Sequence, residues 1–247
     1  MESDSGEPVF IGHDTSRAMS INVLGDPVWH ALSGPHRAHL LGRGLARHYP
    51  RDIAPFSAIA EPSTAAYADL AADLPAGTEA RLFRPRVEPL PDGWEEVGRF
   101  PMLQMVATRP QEPVTSPLTA PVTELSLSDT PDMLKLVAAT QPGPFGARTP
   151  LLGRYVGIRV GGRLAAMAGE RLRVPGHVEL SAICVHPEVR GEGHGATLTR
   201  ALMQHALAGG EVPFLHVRPD NQAAIALYRR LGFEVHRELV VLWRRPR

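Results

Sequence analysis

The chain has 247 residues, in which 26 lysines and arginines balance 26 aspartates and glutamates. A neutral charge without a basic stripe excludes the usual footprint of a nucleic-acid-binding protein, and no apolar run approaches the roughly 18 residues that span a membrane. The single cysteine, Cys184, excludes an internal disulfide framework. We therefore expect a cytoplasmic protein of one large or two small domains, without a signal peptide in its acidic N-terminus.

The first 115 residues give only weak structural signals. Three leucines between residues 40 and 45 predict a helix after Pro35, although Gly42 and Gly44 in the same run disfavour it. The segment PFSAIAEPSTAAYADL, from Pro55, resembles PFLHVRPDNQAAIALY, from Pro213, in its strand–turn–helix pattern. A degenerate internal repeat would produce this similarity, and a chance match between alanine-rich segments is the alternative.

A proline-rich segment separates the two parts of the sequence. Residues 110–121 read PQEPVTSPLTAP, and four prolines among polar residues are typical of an extended connector. We therefore divide the chain into an N-terminal domain at residues 1–115 and a C-terminal domain at residues 116–247. The alternative is an ordered surface loop within one domain.

The C-terminal part alternates strand and helix patterns. Strands are predicted at residues 123–127, 155–160, 164–169, 178–185, 214–217 and 238–243, and helices after Asp129, after the glycines at 191–195 and after Asp220 or Asn221. The pair Gly161-Gly162 suits the positive φ of a hairpin turn between two of these strands. This order indicates an α/β fold with a mixed central sheet flanked by helices. The part before it is a smaller domain, for which a degenerate copy of the same fold is one interpretation.

The stretch VRGEGHGA, residues 189–196, follows a predicted strand and begins a helix. Its three glycines let the backbone approach a ligand closely, and N–H groups at a helix N-terminus bind anions. Alone, the pattern fits either a turn without a ligand or a dinucleotide loop. A ribose-binding acid should follow the next strand, whereas Glu211 precedes it, and no lysine completes a P-loop.

A second block lies at a defined distance from this loop. The pattern R-x-x-G-x-G at residues 190–195 is followed by N-x-x-A-x-x-x-Y-x-x-x-G-F at residues 221–233. Together they resemble the pyrophosphate loop and the last helix of the GNAT superfamily of acyl-CoA-dependent N-acyltransferases, over roughly residues 120–247. Some relatives, including the two-part glycine N-acyltransferase-like branch, carry a decayed N-terminal copy of the fold, which the similarity at Pro55 would suit.

The resemblance implies acetyl-CoA as the acyl donor and a primary amine of a small molecule or peptide as the acceptor, with direct attack of the amine on the thioester. The donor is expected to bind the bulged strand before the loop, the loop itself and the last helix. The residues concerned are Ile183, Cys184, Val185, Arg190, Gly191, Glu192, Gly193, His194, Gly195, Ala196, Asn221 and Tyr228.

Two side chains are candidates for proton transfer. Glu179, six residues before Val185 on the strand entering the loop, is the predicted base, with Glu170 or water as alternatives. Tyr228 is the predicted acid for the departing thiolate, because a phenol stays protonated at neutral pH. The structural alternatives are a solvent-facing strand glutamate and a core tyrosine.

The acceptor is expected to bind residues 141–152, QPGPFGARTPLL, where Phe145 and Arg148 offer apolar and anion-binding contacts. Four histidines between residues 30 and 48 lack a carboxylate or thiol in a ligand pattern, so we expect no metal. A homodimer is left open. A non-catalytic acyl-CoA sensor is the second functional hypothesis, and a dinucleotide-dependent oxidoreductase is the third.

Overall fold

The computed structural model describes residues 23–108 and 121–247. Within these residues the α-helices are α1 (Pro27–Ser33), α2 (Thr64–Asp73), α3 (Thr130–Thr140), α4 (His194–Ala208) and α5 (Gln222–Arg230). The strands are β1 (Ala46–His48), β2 (Phe56–Ile59), β3 (Ala80–Arg84), β4 (Trp94–Ala107), β5 (Thr123–Leu125), β6 (Tyr155–Val160), β7 (Arg163–Val174), β8 (His177–Val185), β9 (Val212–Val217) and β10 (Phe233–Pro246).

These ten strands form one sheet in the order β1-β2-β3-β10-β4-β9-β8-β7-β6-β5. Two neighbouring pairs, β2 with β3 and β8 with β9, are parallel, and the others for which a register is defined are antiparallel. The predicted α/β fold with a mixed central sheet flanked by helices is confirmed. The predicted hairpin is formed by β6 and β7, with Gly161 and Gly162 in its turn at positive φ.

Strands from both parts of the sequence meet in the middle of the sheet. β10 pairs with β3 on one side and with β4 on the other, and β4 pairs in turn with β9. The predicted connector at residues 110–121 lies, except for its last residue, outside the described residues. The division into domains at residues 115 and 116 therefore stays a prediction, while the sheet itself is continuous across both parts.

One face of the sheet is covered by α2, α4 and α5. Leu198 and Leu202 of α4 and Ile225 of α5 share a core cluster with Leu215 of β9 and Met105 of β4. Each side chain of this kind contributes about 1.5–3 kcal/mol when it is fully buried. Because the side chains of a strand alternate between the two faces of a sheet, the position of Leu215 fixes which residues of β9 face the helices. The neighbours of Leu215, at residues 214 and 216, consequently face the other side.

The opposite face of the sheet is concave. There α1 packs against Phe56 of β2 and Phe214 of β9 in another core cluster. The guanidinium carbon of Arg171, on β7, lies 4.8 Å from the centre of the Phe56 ring. Six strand spacings of about 4.8 Å would separate β2 from β7 by roughly 29 Å on a flat sheet. The sheet therefore curls strongly enough for its distant strands to face each other.

The two segments that resemble each other in sequence also have the same order of elements, β2–α2–β3 and β9–α5–β10. Ser63 caps α2 by accepting a hydrogen bond from Ala66 N, and Asn221 caps α5 by accepting one from Ala224 N, each at 3.2 Å. Such caps satisfy N–H groups that have no partner within the helix. Descent of the N-terminal part from a copy of the same domain stays a prediction.

The helix predicted after Pro35 is wrong. Residues 37–39 form one 3-10 turn, and Leu41 makes an isolated antiparallel bridge with His48. Gly42 and Gly44 have φ of +92° and +59°, so both lie outside the right-handed helical region. The two glycines therefore prevent the helix that the leucine spacing predicts. No helix among the described residues is both long and apolar enough to span a bilayer.

Candidate active site

A cavity opens where β8 and β9 separate. Their parallel pairing covers three residue pairs, from His177 with Val212 to Glu179 with Phe214. Beyond these pairs each strand continues to its carboxyl end without pairing to the other. The cavity has a volume of about 810 Å³, within the size range of small-molecule sites.

A bulge in β8 forms one wall of this cavity. The register with β7 shifts between Ser181 and Cys184, so that Ala182 and Ile183 together oppose one residue of the neighbouring strand. Ala182 has φ of +51°, an unusual conformation for a residue with a side chain. The bulge interrupts the hydrogen-bond ladder and turns backbone groups toward a ligand. The predicted residues Ile183, Cys184 and Val185 all line the cavity, whereas Ala182 has no sequence signature and was missed.

The glycine loop ends at the N-terminus of α4. Gly191 and Gly193 have φ of +88° and +82°, and Gly193 precedes the first helical residue without any side-chain cap. The first hydrogen bond back along the chain runs from Thr197 N to Gly193 O at 3.0 Å, so the N–H groups before it have no acceptor within the helix. This is the arrangement that binds a phosphate group.

The polar side chains of the loop differ in their surroundings. Arg190 lines the cavity and donates from Nε to Val185 O at 3.3 Å. His194 is buried, with Nε2 at 3.1 Å from Oε2 of the exposed Glu192, and its Nδ1 has no hydrogen-bond partner among the described residues. Residues 191–196 lie beside the cavity rather than in its lining, and their role in binding the donor stays a prediction.

Tyr228 and Asn221 reach the cavity from α5. Tyr228 packs edge-on against Phe233, with ring centres 6.0 Å apart, and burial raises the pKa of its phenol to about 12. Its hydroxyl makes no hydrogen bond with a described residue, although the side chain lines the cavity. Asn221 lines the cavity as well as capping the helix. Both positions predicted from the second motif therefore meet the bulge of β8 at one site.

Glu179 lies under the cavity and is fully buried. Its carboxylate accepts hydrogen bonds from Arg171 Nε at 2.8 Å and Nη2 at 2.5 Å, and from His216 Nδ1 at 2.7 Å. Burial alone would raise the pKa of Glu179, but the charge and hydrogen bonds of Arg171, with a smaller contribution from His216, hold it at about 2. A carboxylate so stabilised is a poor proton acceptor. The surroundings of Glu179 thus do not support its predicted role as the base.

His216 was missed by the sequence reasoning. A carboxylate only accepts hydrogen bonds, so Nδ1 of His216 carries the proton that binds Glu179. Nε2 of the same ring lies 3.0 Å from the amide nitrogen of Gln104, which donates and so requires a neutral acceptor. Gln104 also donates to Leu24 O at 2.9 Å. In this arrangement Nδ1 of His216 donates to Glu179 and Nε2 accepts from Gln104, so both ring nitrogens are occupied.

The other predicted side chains lie elsewhere. Glu170, the competing base, is buried away from the cavity and accepts from Arg154 N at 3.1 Å and Arg173 Nη2 at 2.7 Å. Phe145 packs edge-on against a core tyrosine, and Arg148 pairs with Asp52 at 3.2 Å.

The predicted acceptor contacts at Phe145 and Arg148 are therefore not supported, because neither residue lines the cavity. Only the beginning of the predicted loop, at residues 141–144, does so, together with Thr140. Within residues 23–108 and 121–247, no three His, Cys, Asp or Glu side chains form a group that could hold a metal ion.

The remaining wall comes from β2, β3, β4 and β10. It contains aromatic and aliphatic side chains together with one arginine: Phe56, Arg81, Phe83, Phe100, Met102, Val241 and Trp243. The rings of Phe83 and His216 lie 4.7 Å apart, which joins this wall to β9. Most of these residues belong to the N-terminal part, and only the non-local order of the strands brings them to the site.

Comparisons with known proteins agree with this geometry. Residues 155–242 match the family described as FR47-like protein. A solved structure from Novosphingobium aromaticivorans, described as an acetyltransferase of the GNAT family, is 36% identical to this chain. The similarity covers 91% of this chain and 98% of that one, with a TM-score of 0.83. This chain belongs to the GNAT family of acetyltransferases.

Two curated relatives match shorter segments. The N-alpha-acetyltransferase RimI of Mycobacterium tuberculosis is 46% identical over 83 residues, which are 32% of this chain and 51% of that protein. The mycothiol acetyltransferase of Mycolicibacterium smegmatis is 44% identical over 61 residues, which are 23% of this chain and 21% of that protein. The chain thus spans about half of the first relative's length and about a fifth of the second's.

Proposed function

We propose that this chain transfers an acetyl group from acetyl-CoA to a primary amine of a small molecule or peptide by direct attack. The observation that carries the proposal is that the phenol of Tyr228, which has no hydrogen-bond partner among the described residues, meets the bulged backbone of β8 in one cavity. A nucleophilic side chain is not needed for this reaction. The buried thiol of Cys184, whose pKa burial raises to about 11, is poorly suited to act as one.

Acetyl-CoA binds along the path from the α4 N-terminus to the bulge. Its pyrophosphate accepts hydrogen bonds from the first N–H groups of α4, and Arg190 adds a charge-assisted contact. The pantetheine arm follows the backbone from Ile183 to Val185. Near Ala182 the same backbone stabilises the negative charge that develops on the thioester oxygen during attack.

The proton balance of the reaction determines what Tyr228 does. Attack of a neutral amine forms the N–C bond and leaves an extra proton on nitrogen, while the breaking C–S bond leaves a thiolate. A phenol with a pKa of about 12 does not transfer its proton to the thiolate in a separate step, because the thiolate is a weaker base than the phenolate that would form. We infer that its hydroxyl passes its proton to sulfur while it receives one from the nitrogen.

The amine enters the reaction without a carboxylate base. No Asp or Glu is present among the described residues that line the cavity, and both nitrogens of His216 are occupied. Water therefore takes the proton of the incoming ammonium, or the acceptor arrives as the free amine. Glu179 and Arg171 act as a buried support for His216 and for this wall of the cavity.

Two measurements test this function. Calorimetry compares the binding of acetyl-CoA with that of NAD, and a thiol-release assay then screens primary amines with acetyl-CoA. We expect binding of acetyl-CoA in preference to NAD and amine-dependent release of thiol. Binding without release by any amine would instead favour a non-catalytic acyl-CoA sensor, and binding of NAD alone would overturn the proposal.

A further inference from the structure

The cavity wall opposite the bulge is built from paired positions of three adjacent strands. Directly paired residues on neighbouring strands point to the same face of a sheet. One row consists of Phe83, Val241 and Phe100, and the next row of Arg81, Trp243 and Gly98. Every residue of these two rows except Gly98 lines the same cavity.

Two aromatic rings form an apolar platform on this wall. The centres of the Phe100 and Trp243 rings are 5.7 Å apart, with an angle of 42° between their planes. Both rings cover Gly98, where an added Cβ would lie 3.6 Å from Phe100 and 3.8 Å from Trp243. The absence of a side chain at Gly98 lets the rings lie close to the strands, and their exposed surface can hold an apolar group.

Arg81 lies at the end of this platform. Its guanidinium carbon is 4.1 Å from the centre of a ring of Trp243, so one face of the cation is stacked on the indole. The side chain of Arg81 makes no hydrogen bond or ion pair with another described residue, although its backbone pairs within the sheet. The nearby Glu79 is already bound by Arg245, at 2.5 Å, and by the indole N–H of Trp243. The N–H groups around the edge of the Arg81 guanidinium remain available to an oxyanion.

The charges around the cavity also favour an anionic ligand at Arg81. Its described lining contains the arginines Arg81, Arg171, Arg190 and Arg218 and no carboxylate. Arg171 is neutralised by Glu179, Arg218 is paired with Asp220 at 2.7 Å, and Arg190 lies beside the pyrophosphate loop. Arg81 is thus the arginine of the acceptor wall that makes no ion pair with a described residue, and the Glu79 carboxylate attracts it only at longer range.

We propose, on the basis of the acetyl transfer inferred above, that the acceptor is an amine with an apolar, preferably aromatic, body and a carboxylate. The body stacks on Phe100 and Trp243, and the carboxylate accepts hydrogen bonds from Arg81. The rows also set the acceptor's length. The reaction site lies where β8 and β9 separate, at the end of β9, where Val217 pairs with Leu103. The row of Arg81 contains Gly98, which lies five residues along β4 from Leu103, and five residues of strand span roughly 17 Å. The carboxylate is therefore farther from the amine than in an α-amino acid.

The tripeptide Ala-Ala-Phe is a suitable probe, because it carries an N-terminal amine, an aromatic side chain and a terminal carboxylate at the end of an extended chain. Its matched control is Ala-Ala-Phe carboxamide, which lacks the negative charge alone. We expect kcat/KM in the thiol-release assay to be at least about tenfold higher for the acid, as is usual for a hydrogen-bonded charge. Ala-Ala-Ala should have a lower kcat/KM than Ala-Ala-Phe. The kcat/KM of free phenylalanine should not exceed that of phenylalanine carboxamide.

Variants of the cation test the assignment to Arg81. Arg81→Gln should bring the acid-to-carboxamide ratio close to one, and Arg81→Lys should restore part of it. Arg99→Gln is the matched control: Arg99 is an exposed arginine of β4, next to Phe100 and thus on the other face, paired with Glu96. This variant should keep the wild-type preference. A preserved preference in Arg81→Gln would overturn the assignment.

The wild-type comparison decides the inference even if Arg81→Gln fails to fold. Equal reaction of the tripeptide and its carboxamide, with thiol release intact, would overturn the acceptor class and leave the acetyl transfer standing. Failure of the protein to bind acetyl-CoA in calorimetry would instead overturn the proposed function, and the acceptor proposal with it.

Discussion

The guanidinium of Arg171 and the carboxylate of Glu179 form a two-pronged ion pair inside the protein, with N···O distances of 2.8 and 2.5 Å. The two residues lie on adjacent strands, β7 and β8, where Arg171 lines the cavity and Glu179 lies beneath it. Both charges have lost their hydration, and their mutual hydrogen bonds offset that loss. His216 uses a carboxylate oxygen of the same pair, so the pair fixes the orientation of an imidazole at the cavity wall.

Removing one charge of this pair should destabilise the fold. Glu179→Gln leaves Arg171 buried without its counter-ion, and such changes cost about 3–5 kcal/mol. Urea unfolding measures this loss. Glu124→Gln is the matched control, because Glu124 binds Arg154 at the surface and its side chain is 62% exposed. An exposed pair contributes at most about 1 kcal/mol. Equal losses in the two variants would contradict a structural role for Glu179.

The same carboxylate makes stability depend on pH. Glu179 has a pKa of about 2 when folded, against an ordinary value of 4.5. Above pH 4.5 the group is ionised in both states, so its full contribution is present. As the pH falls below 4.5 the unfolded chain binds the proton first, and the contribution is lost between about pH 4.5 and 2. Urea titrations from pH 5 to pH 3 should show a steeper fall for the wild type than for Glu179→Gln.

Tyr228→Phe separates a catalytic hydroxyl from a core tyrosine. The ring and its packing on Phe233 are retained, and no described partner of the hydroxyl is lost. The melting temperature and the affinity for acetyl-CoA should therefore change little. The proposed proton relay is removed, so turnover should fall about 100-fold or more, within the usual range for general acid–base groups. A lower melting temperature with normal turnover would make Tyr228 structural.

Gly195→Ala tests the anion site at the start of α4. An added Cβ there would lie 3.6 Å from Val185 and 3.7 Å from Leu227, which is ordinary packing, so the fold should tolerate it. The methyl group stands beside the N–H groups assigned to pyrophosphate, and the Kd for acetyl-CoA should rise about tenfold.

Calorimetry together with a thermal melt checks the result for Gly195→Ala. Gly193 would be a poorer choice for this test. Its φ of +82° makes any side chain strained, and the fold itself would lose stability. An unchanged affinity in a stable Gly195→Ala protein would argue against binding of pyrophosphate at this helix end.

Cys184 should react slowly with iodoacetamide. Burial raises the pKa of its thiol to about 11, so at pH 7.5 roughly one molecule in 3,000 carries the reactive thiolate. Because the chain has one cysteine, mass spectrometry of the intact protein follows the reaction directly. The protein unfolded in urea serves as the control and should react at the rate of an ordinary thiol. Rapid alkylation of the folded protein would show that Cys184 is not held as described.

Local sequence patterns predicted the donor side of the site and little of the rest. Asn221 and Tyr228 were predicted from the helical spacing that follows a capping residue. The glycine loop was predicted from the turn that leads into a helix, so both predictions rest on one short segment each. Phe83 and His216 come from β3 and β9, which are separated by two strands, β10 and β4, and lie far apart in the chain. Their contact depends on strand order, which short-range periodicity does not encode. The partners of Glu179 could not be read for the same reason.

The position of β10 has a consequence for how the chain acquires its structure. This strand is the last of the described elements in chain order, yet it lies between β3 and β4 near the middle of the sheet. During synthesis a ribosome exposes β3 and β4 long before the strand that joins them. Until then both carry unpaired backbone edges, which favour association with other chains. We expect the nascent chain to depend on protection of these edges, and folding to be completed only after residues 233–246 emerge, as a late and slow event.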